Sequence, residues 1–274
     1  MNVTGNARTF ELARDVVLAT GEETIDYVHS QVSQNVDDMA IGESRLSFLL
    51  QPQGKVDALL RITRLGDSEL VLDTDAGFGD AMTDSLARFK LRTKIEFESI
   101  DWRVLSVFGD VDGATIVGAE LVVPGLLAGS QDALGVSPTV ADADPMSAVD
   151  HERLRIAAAF PKIGVDLDEG SIPNESGLVD RAVSFTKGCY RGQELVERIH
   201  SRGGNRQLLQ ALDVEGLVVV GAKIVSGDRE VGSVTSAVDG LAMGYIRGNV
   251  DQAEPLEVVW SAAGSETRAA ATRA

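Results

Sequence analysis

The chain has 274 residues and a formal net charge of −17, a length that divides more naturally into two or three domains than into one. Hydrophobic residues make up 44% of it and charged residues 24%, which is typical of a globular protein and excludes a disordered one. The acidic excess disfavours nucleic acid, whose phosphates are neutralised by Lys and Arg, and no apolar run approaches the roughly 20 residues needed to span a bilayer. We therefore expect neither nucleic acid nor a membrane among its partners.

The start of the chain and its cysteine content indicate the cellular compartment. Residues 1–14 mix Asn, Arg, Glu and Asp without an apolar run, so they do not resemble a signal peptide. The single cysteine, Cys189, excludes an intramolecular disulfide. We expect a reducing, cytoplasmic environment.

The first half of the chain predicts a mixture of strands and helices. Apolar runs bounded by Gly, Pro, Asn and Asp indicate strands, whereas apolar residues at helical spacing indicate helices. We predict a helix at 22–28, strands at 46–50, 56–62 and 69–73, a helix at 80–91 whose apolar positions include Phe89 and Leu91, and strands at 103–109 and 120–124. Residues 51–55 indicate a hairpin turn between the first two strands. This order favours an α+β domain.

The second half begins with helices and ends with strands. After a connector at 137–150, we predict helices at 150–161, ended by Pro161, and at 193–201. Beyond residue 206, five or six short apolar runs separated by glycine turns, with no helix between them, predict a small β-barrel. These runs are 208–214, 223–225, 230–235, 241–246 and 256–260, and the tail from Ala262 is expected to fray.

The cysteine lies in a basic island. Residues 182–210 contain five Lys or Arg and two Glu, a local charge of +3 in an acidic chain. Lys187 and Arg191 each lie two residues from Cys189, and cations stabilise the thiolate, which is the nucleophilic and metal-binding form. The ordinary alternative is that a lone cysteine is a small buried hydrophobe. A single thiolate does not supply the four ligands that iron–sulfur clusters usually need, so we expect no metal site in this chain alone.

Four segments of the chain resemble the YgfZ family of the glycine-cleavage T-protein (aminomethyltransferase) superfamily. Residues 187–194 with Arg198 match the signature K-G-C-Y/F-x-G-Q-E-x-x-x-R at every fixed position. The supporting segments are 155–161, similar to R-I-A-A-G-x-P with Ala159 in place of the glycine, 172–175, similar to I-P-x-E, and 232–236, similar to G-x-V-T-S. The resemblance covers most of the chain and is thin before residue 46.

This resemblance implies a fold, a cofactor and a role. The fold would be α+β, with three T-protein-like domains around a central folate pocket. Residues 1–45 and 125–205 would form the two halves of the folate-binding core, 46–124 a ferredoxin-like α+β domain, and 206–274 the C-terminal β-barrel. Tetrahydrofolate or a derivative would be the cofactor, and iron–sulfur client proteins or assembly factors would be the partners.

The resemblance also implies roles for individual residues. Cys189 would be the functional thiol, while Lys187 and Arg191 would tune it or steer the anionic folate tail. Gln193 and Glu194 would fix the loop, and Arg198 would be an ion-pair partner. The implied cofactor-binding set is Tyr190, Glu175, Arg191, Gln193, Glu194 and Arg198.

Two departures from the T-protein pattern bear on catalysis. The pattern R-L-E-A-G carries a Glu where this chain has Ala157, and a paired-aspartate step is reduced to Asp57. Asp57 keeps open a folate-dependent one-carbon transferase or demethylase, in which a carboxylate handles protons beside the folate. Its ordinary alternative is a surface turn carboxylate. A third hypothesis is an interaction protein that no longer binds folate.

Overall fold

The computed structural model describes residues 7–111, 113–262 and 265–274. The chain forms two compact units. Unit 1 comprises Met1–Ser147 and Asp180–Glu194, and unit 2 comprises Ala148–Val179 and Leu195–Ala274. Each unit is therefore assembled from two separate stretches of sequence, and the cysteine motif of 187–194 belongs to unit 1.

Unit 1 contains an antiparallel sheet covered on one face by two helices. Its strands are β2 (Arg14–Thr20), β3 (Ser44–Leu50), β4 (Val56–Gly66), β5 (Glu69–Asp75) and β6 (Glu96–Ile100), in the order β3-β4-β5-β2-β6. The helices are α1 (Thr24–Gln31) and α2 (Gly79–Ala87). Alternate residues of the strands meet the apolar stripes of the helices in one core, which includes Val28, Leu60, Leu72 and Leu86.

The other face of this sheet packs on a second sheet of unit 1. The second sheet contains β1 (Arg8–Leu12), β7 (Arg103–Phe108), β9 (Leu121–Pro124), β10 (Ser130–Gly135) and β12 (Asp144–Pro145), in the order β12-β1-β7-β10-β9. A short pair joins β8 (Ile116–Val117) to β11 (Thr139–Val140). The apolar layer between the sheets includes Val16, Val71, Val104 and Leu134.

A buried ionic network also links the two sheets. The Arg61 guanidinium on β4 donates to Asp73 on β5 at 2.8 Å and to Asp132 on β10 at 2.6 Å. Arg14 donates to the same Asp73 at 2.7 Å, and the Ser106 hydroxyl donates to Asp132. Burial opposes the charge of Asp73, but Arg61 and Arg14 outweigh it and lower the pKa of this carboxyl. Since a buried charge is costly unless it is paired, the network fixes how the sheets align.

Unit 2 is built around a barrel. Its helical elements are α3 (Ala148–Ala157), a 3-10 turn at Pro173–Glu175 and most of α5 (Gln193–Arg202), while α4 (Val179–Ala182) precedes the motif. The strands are β13 (Gln207–Val214), β14 (Lys223–Ser226), β15 (Arg229–Val238), β16 (Leu241–Arg247), β17 (Leu256–Ala262) and β18 (Ser265–Arg273). They close in the order β13-β16-β15-β14-β17-β18 around Leu212, Ile224, Val231 and Val258.

The α+β class and the C-terminal barrel are thus confirmed, with three differences in detail. The tail does not fray, because β18 pairs with β13 and β17. The helix predicted at 80–91 ends at Ala87, and Phe89 and Leu91 are 42% and 94% exposed instead of lying in the core. Seven of the described strands of unit 1 were not predicted, namely β1, β2, β6, β8, β10, β11 and β12. Within the described ranges, no helix is both long enough and apolar enough to cross a membrane.

The proposed division into three domains stays a prediction. The sheet of unit 1 joins β3, β4, β5 and β6, which lie in the 46–124 region or at its edge, to β2, which comes from the first 45 residues. The predicted core half 125–205 contributes residues to both units.

Candidate functional site

Lys187 anchors the cysteine loop to the segment that follows helix α1. Its ammonium donates to the backbone carbonyls of His29, Val32 at 2.7 Å and Gln34 at 3.1 Å. The same nitrogen lies 5.3 Å from the centroid of the Tyr190 ring. Three acceptors match the three ammonium hydrogens, and burial lowers the pKa of Lys187 to about 8. Lys187 therefore holds the loop in place, and its catalytic role stays a prediction.

Gly192 allows the same loop to pack against the β3–β4 hairpin turn. Its φ is +78°, and a Cβ there would overlap the carbonyl oxygen of Gln51 and lie 2.8 Å from the Leu50 Cβ and 3.2 Å from the Gly54 Cα. Only glycine accepts both the left-handed conformation and this close approach. Gly192 is thus required because the motif packs against the turn that precedes Asp57.

Arg191 joins the motif to Asp57. Its guanidinium donates to the Ser85 carbonyl at 2.9 Å and to the Ser85 hydroxyl at 2.7 Å, and the hydroxyl in turn donates to Asp57 Oδ2 at 2.6 Å. A longer contact of 3.5 Å joins Arg191 directly to Asp57 Oδ2. Within the described chain, Asp57 Oδ1 accepts no hydrogen bond, and the buried Nε of Arg191 has no acceptor. One carboxylate oxygen is thus fixed while the other is available.

Two aromatic side chains border this group. The ring centroid of Phe89 lies 5.1 Å from the Arg191 guanidinium carbon. Tyr27 is buried and donates its hydroxyl proton to the Leu86 carbonyl at 2.5 Å. Leu86 follows Ser85 in α2, so Tyr27 and Arg191 contact adjacent residues of this helix. Burial raises the pKa of Tyr27, and the positive charge of Arg191 partly opposes that rise. The site therefore combines an oriented carboxylate, a cation and aromatic surface.

Cys189 is exposed and has a free thiol. The alternative that it is a buried hydrophobe is wrong. Two hydrogen bonds between Gln193 and Tyr190 hold the loop around it. The backbone amide of Tyr190 donates to the side-chain oxygen of Gln193 at 3.2 Å, and the backbone amide of Gln193 donates to the Tyr190 carbonyl at 3.3 Å. The neighbouring Tyr190 is buried. The thiol is thus presented to solvent on a fixed loop.

The remaining predicted residues lie elsewhere. Glu194 and Arg198 are exposed on helix α5, and neither forms an ion pair with a described residue. Glu175 is buried in unit 2, where it accepts a hydrogen bond from Gln207 at 3.0 Å and where burial raises its pKa. Unit 1 contains Asp57 and the motif residues Lys187, Cys189, Tyr190, Arg191, Gln193 and Glu194, whereas Glu175 and Arg198 belong to unit 2.

Sequence reasoning missed Ser85, Phe89 and Tyr27. The helix predicted at 80–91 was supported by its apolar positions, and a polar Ser85 among them carries no motif. The available signal was the spacing of Ser85 and Phe89, four residues apart and so on one side of a helical stretch. Tyr27 lay in a predicted helix but had no local feature that separates a site residue from a core residue.

A second polar cluster, in unit 2, joins two of the segments that resembled the family. Arg155 on α3 donates to Asp166 at 2.8 Å and to the Ser236 hydroxyl at 2.6 Å, and this hydroxyl donates to Asp166 at 2.7 Å. The Thr235 hydroxyl donates to the same carboxylate. These residues hold α3 against β15. The segments 155–161 and 232–236 are therefore explained by a structural contact.

No family model matches the chain. The tRNA-modifying protein YgfZ of Photorhabdus laumondii is 26% identical over 219 residues, which cover 70% of this chain and 66% of that relative. A mitochondrial iron–sulfur cluster assembly factor IBA57 homolog of Mycosarcoma maydis is 26% identical over 223 residues, which cover 73% of this chain and 55% of the relative. The chain thus spans between just over half and about two thirds of the length of these two curated relatives.

The fold has a solved counterpart. The crystal structure of the glycine cleavage system aminomethyltransferase T from Bartonella henselae superimposes with a TM-score of 0.79 at 15% identity, over 98% of this chain and 85% of that one. The fold is that of the aminomethyltransferase T-proteins. In its intact cysteine signature and in its curated relatives, the chain is similar to T-protein-like proteins of the YgfZ family. The recognition made from the sequence is confirmed.

Proposed function

We propose that this protein binds a tetrahydrofolate in unit 1 and serves the assembly or repair of iron–sulfur proteins, with Cys189 as the functional thiol. The observation that carries the proposal is the exposed Cys189 on a loop fixed beside the Asp57–Arg191 pair. The names of the relatives support it, since one of them is an iron–sulfur cluster assembly factor homolog.

The residues of unit 1 fit a folate. A reduced pterin carries N–H donors, and the Oδ1 atom of Asp57 is an acceptor with no partner among the described residues. Phe89, which is 42% exposed, offers aromatic surface to a flat ring system. Arg191 supplies a positive charge for an anionic ligand. When bound, tetrahydrofolate supplies nitrogen atoms that carry a one-carbon unit.

Cys189 acts with a partner in this proposal. Thiolates bind iron and attack electrophiles, but one thiolate is too few for a cluster that needs about four ligands. An exposed cysteine on a rigid loop presents its sulfur to a second protein, which would supply the other ligands. Arg191, which contacts Asp57, and Cys189 lie on the same loop, so folate binding and sulfur chemistry would then take place next to each other in unit 1.

Calorimetric titration with tetrahydrofolate and 5-formyltetrahydrofolate tests the first half of the proposal. We expect the wild type and Cys189→Ala to bind with Kd values on the order of micromolar and within about twofold of each other, because the thiol is not part of the pocket. Absence of binding by both proteins contradicts the cofactor assignment and leaves an interaction protein on this fold.

Activity of iron–sulfur enzymes in cells tests the second half. In a strain that depends on this protein, Cys189→Ala should lower those activities while folate binding by the purified variant stays intact. Unchanged activities with an equally abundant variant contradict the role of the thiol. Asp57→Asn serves as the complementary variant, since it should weaken folate binding and leave the cysteine in place.

A folate-dependent one-carbon transferase is the second candidate. The observation that favours it is Asp57, whose Oδ2 atom contacts Arg191 of the motif at 3.5 Å and whose Oδ1 atom has no partner among the described residues. A carboxylate beside the folate is the group that such chemistry uses as a base. Ala157 in place of the T-protein Glu weakens it. A turnover assay with tetrahydrofolate and methylated amines separates the two candidates, because only the transferase yields a folate product that disappears in Asp57→Asn.

A further inference from the structure

A basic and apolar loop follows helix α2 in unit 1. Residues 88–94 read Arg-Phe-Lys-Leu-Arg-Thr-Lys, and this segment is called the basic loop below. Cations therefore alternate with the exposed apolar side chains of Phe89 and Leu91. Leu91 has a φ of +47°, an unusual conformation for a leucine. Because it lies outside the helix and outside the core, packing within unit 1 does not explain this sequence.

The cations of the basic loop differ in their partners. Lys94 forms an ion pair with Glu22 at 2.5 Å. Arg88, Lys90 and Arg92 form no ion pair or side-chain hydrogen bond with any residue of the described ranges. The chain has 42 acidic residues against 25 Lys and Arg, so acidic partners are abundant. Three neighbouring cations that have no acidic partner create a local positive field in an anionic protein. Such a field concentrates anions.

The basic loop borders the candidate site. The Phe89 ring lies 5.1 Å from the Arg191 guanidinium carbon, and Arg191 contacts Asp57. Arg88 directly precedes Phe89 in the chain, and its positive charge adds to the effect of burial, which lowers the pKa of Arg191. A series of cations thus leads from the oriented carboxylate of Asp57 through Arg191 to the exposed loop.

We propose that the basic loop binds the γ-linked oligoglutamate tail of a folate whose ring system lies at Asp57 and Arg191. This inference rests on the proposed function. Each added glutamate brings one carboxylate, which Arg88, Lys90 or Arg92 pairs with, and two methylenes, which pack on the exposed Leu91 side chain. The natural ligand would therefore be a polyglutamylated tetrahydrofolate.

The test compares tetrahydrofolate monoglutamate with its pentaglutamate by calorimetry. At about 50 mM salt we expect the wild type to bind the pentaglutamate about tenfold more tightly, a difference of ~1.4 kcal/mol, and this ratio should fall towards one at about 500 mM salt, where exposed charges are screened. In the triple variant Arg88→Gln/Lys90→Gln/Arg92→Gln, the ratio should be close to one at both salt concentrations while the monoglutamate affinity is unchanged.

A matched control removes three exposed cations elsewhere. Lys223→Gln/Arg229→Gln/Arg268→Gln changes the net charge equally but acts on the barrel, where each of these residues is already paired. It should keep the tail-length preference. Equal affinities of the wild type for the two ligands, or a preference that the triple variant retains, overturn this inference alone. Binding of neither ligand overturns the proposed function and the inference with it.

Discussion

At the scale of single residues, the two glycines beside Cys189 have different roles. Gly188 has no atom within 4 Å of an added Cβ, whereas Gly192 has a positive φ and would place a Cβ against Gln51, Leu50 and Gly54. We expect Gly192→Ala to lower the free energy of unfolding by about 2 kcal/mol, since it combines backbone strain with overpacking. Gly188→Ala should change it by less than about 0.5 kcal/mol.

Urea denaturation measures the effect on stability, and folate titration measures its consequence for the site. Because the contact of Gly192 brings the motif to the turn before Asp57, Gly192→Ala should also weaken folate binding, and Gly188→Ala should not. Equal effects of the two substitutions would show that the motif does not depend on this contact.

The residues of the site were partly predictable from the sequence. The motif and Asp57 stand out because Cys, Gly and Asp carry local chemical signals, and the structure brings them together in unit 1. The partners of Lys187 were not predictable, because they are backbone carbonyls that any sequence would provide. Ser85 joins Asp57 and Arg191 only through tertiary contacts.

At the scale of elements, a strand or helix could be predicted where its own residues carry the pattern that stabilises it. The strands of the barrel alternate apolar and polar residues, so their pattern indicates them directly. Strand β2 begins with a charged pair, Arg14 and Asp15, and the charge of Arg14 is stabilised by Asp73 and Asp75, about 60 residues away. The strand also contains a local apolar run, Val-Val-Leu-Ala at 16–19, so its own pattern indicates a strand that the sequence prediction overlooked.

The end of helix α3 provides a test at this scale. The amide of Phe160 donates to the Arg155 carbonyl and that of Ala159 to the Ile156 carbonyl, the paired bonds of a Schellman motif, and Ala159 has a φ of +47°. Glycine is the usual residue in this conformation, and the family pattern has glycine there. We expect Ala159→Gly to raise the free energy of unfolding by about 1 kcal/mol, because the relief of backbone strain outweighs the packing that the Ala159 methyl group provides.

A control substitution lies two residues earlier in the same helix. Ala157→Gly replaces the last residue of α3 and should lower the free energy of unfolding by about 0.5 kcal/mol, because glycine is less favourable than alanine in helical backbone. Denaturation followed by the fluorescence of Trp260 in a Trp102→Phe background reports on unit 2. Destabilisation by both substitutions would contradict a strained backbone at Ala159.

At the scale of the whole molecule, the net charge determines how strongly the protein can bind RNA. The YgfZ relative is named a tRNA-modifying protein, yet this chain carries a net charge of −17. Its positive regions are small, namely the island at 182–210 and the basic loop. Binding to RNA draws on many neutralised phosphates, and each one adds to the salt dependence of the affinity. We therefore expect this chain to bind RNA only weakly.

Filter binding with bulk tRNA tests the alternative that this protein binds RNA directly. We expect a Kd weaker than about 1 µM at about 150 mM salt, and no change in the Cys189→Ala variant. A tighter Kd that weakens steeply with salt and is lost in Arg88→Gln/Lys90→Gln/Arg92→Gln would assign the basic loop to RNA. The same protein would then show no preference for longer glutamate tails, so the two experiments together identify which polyanion the positive region of unit 1 binds.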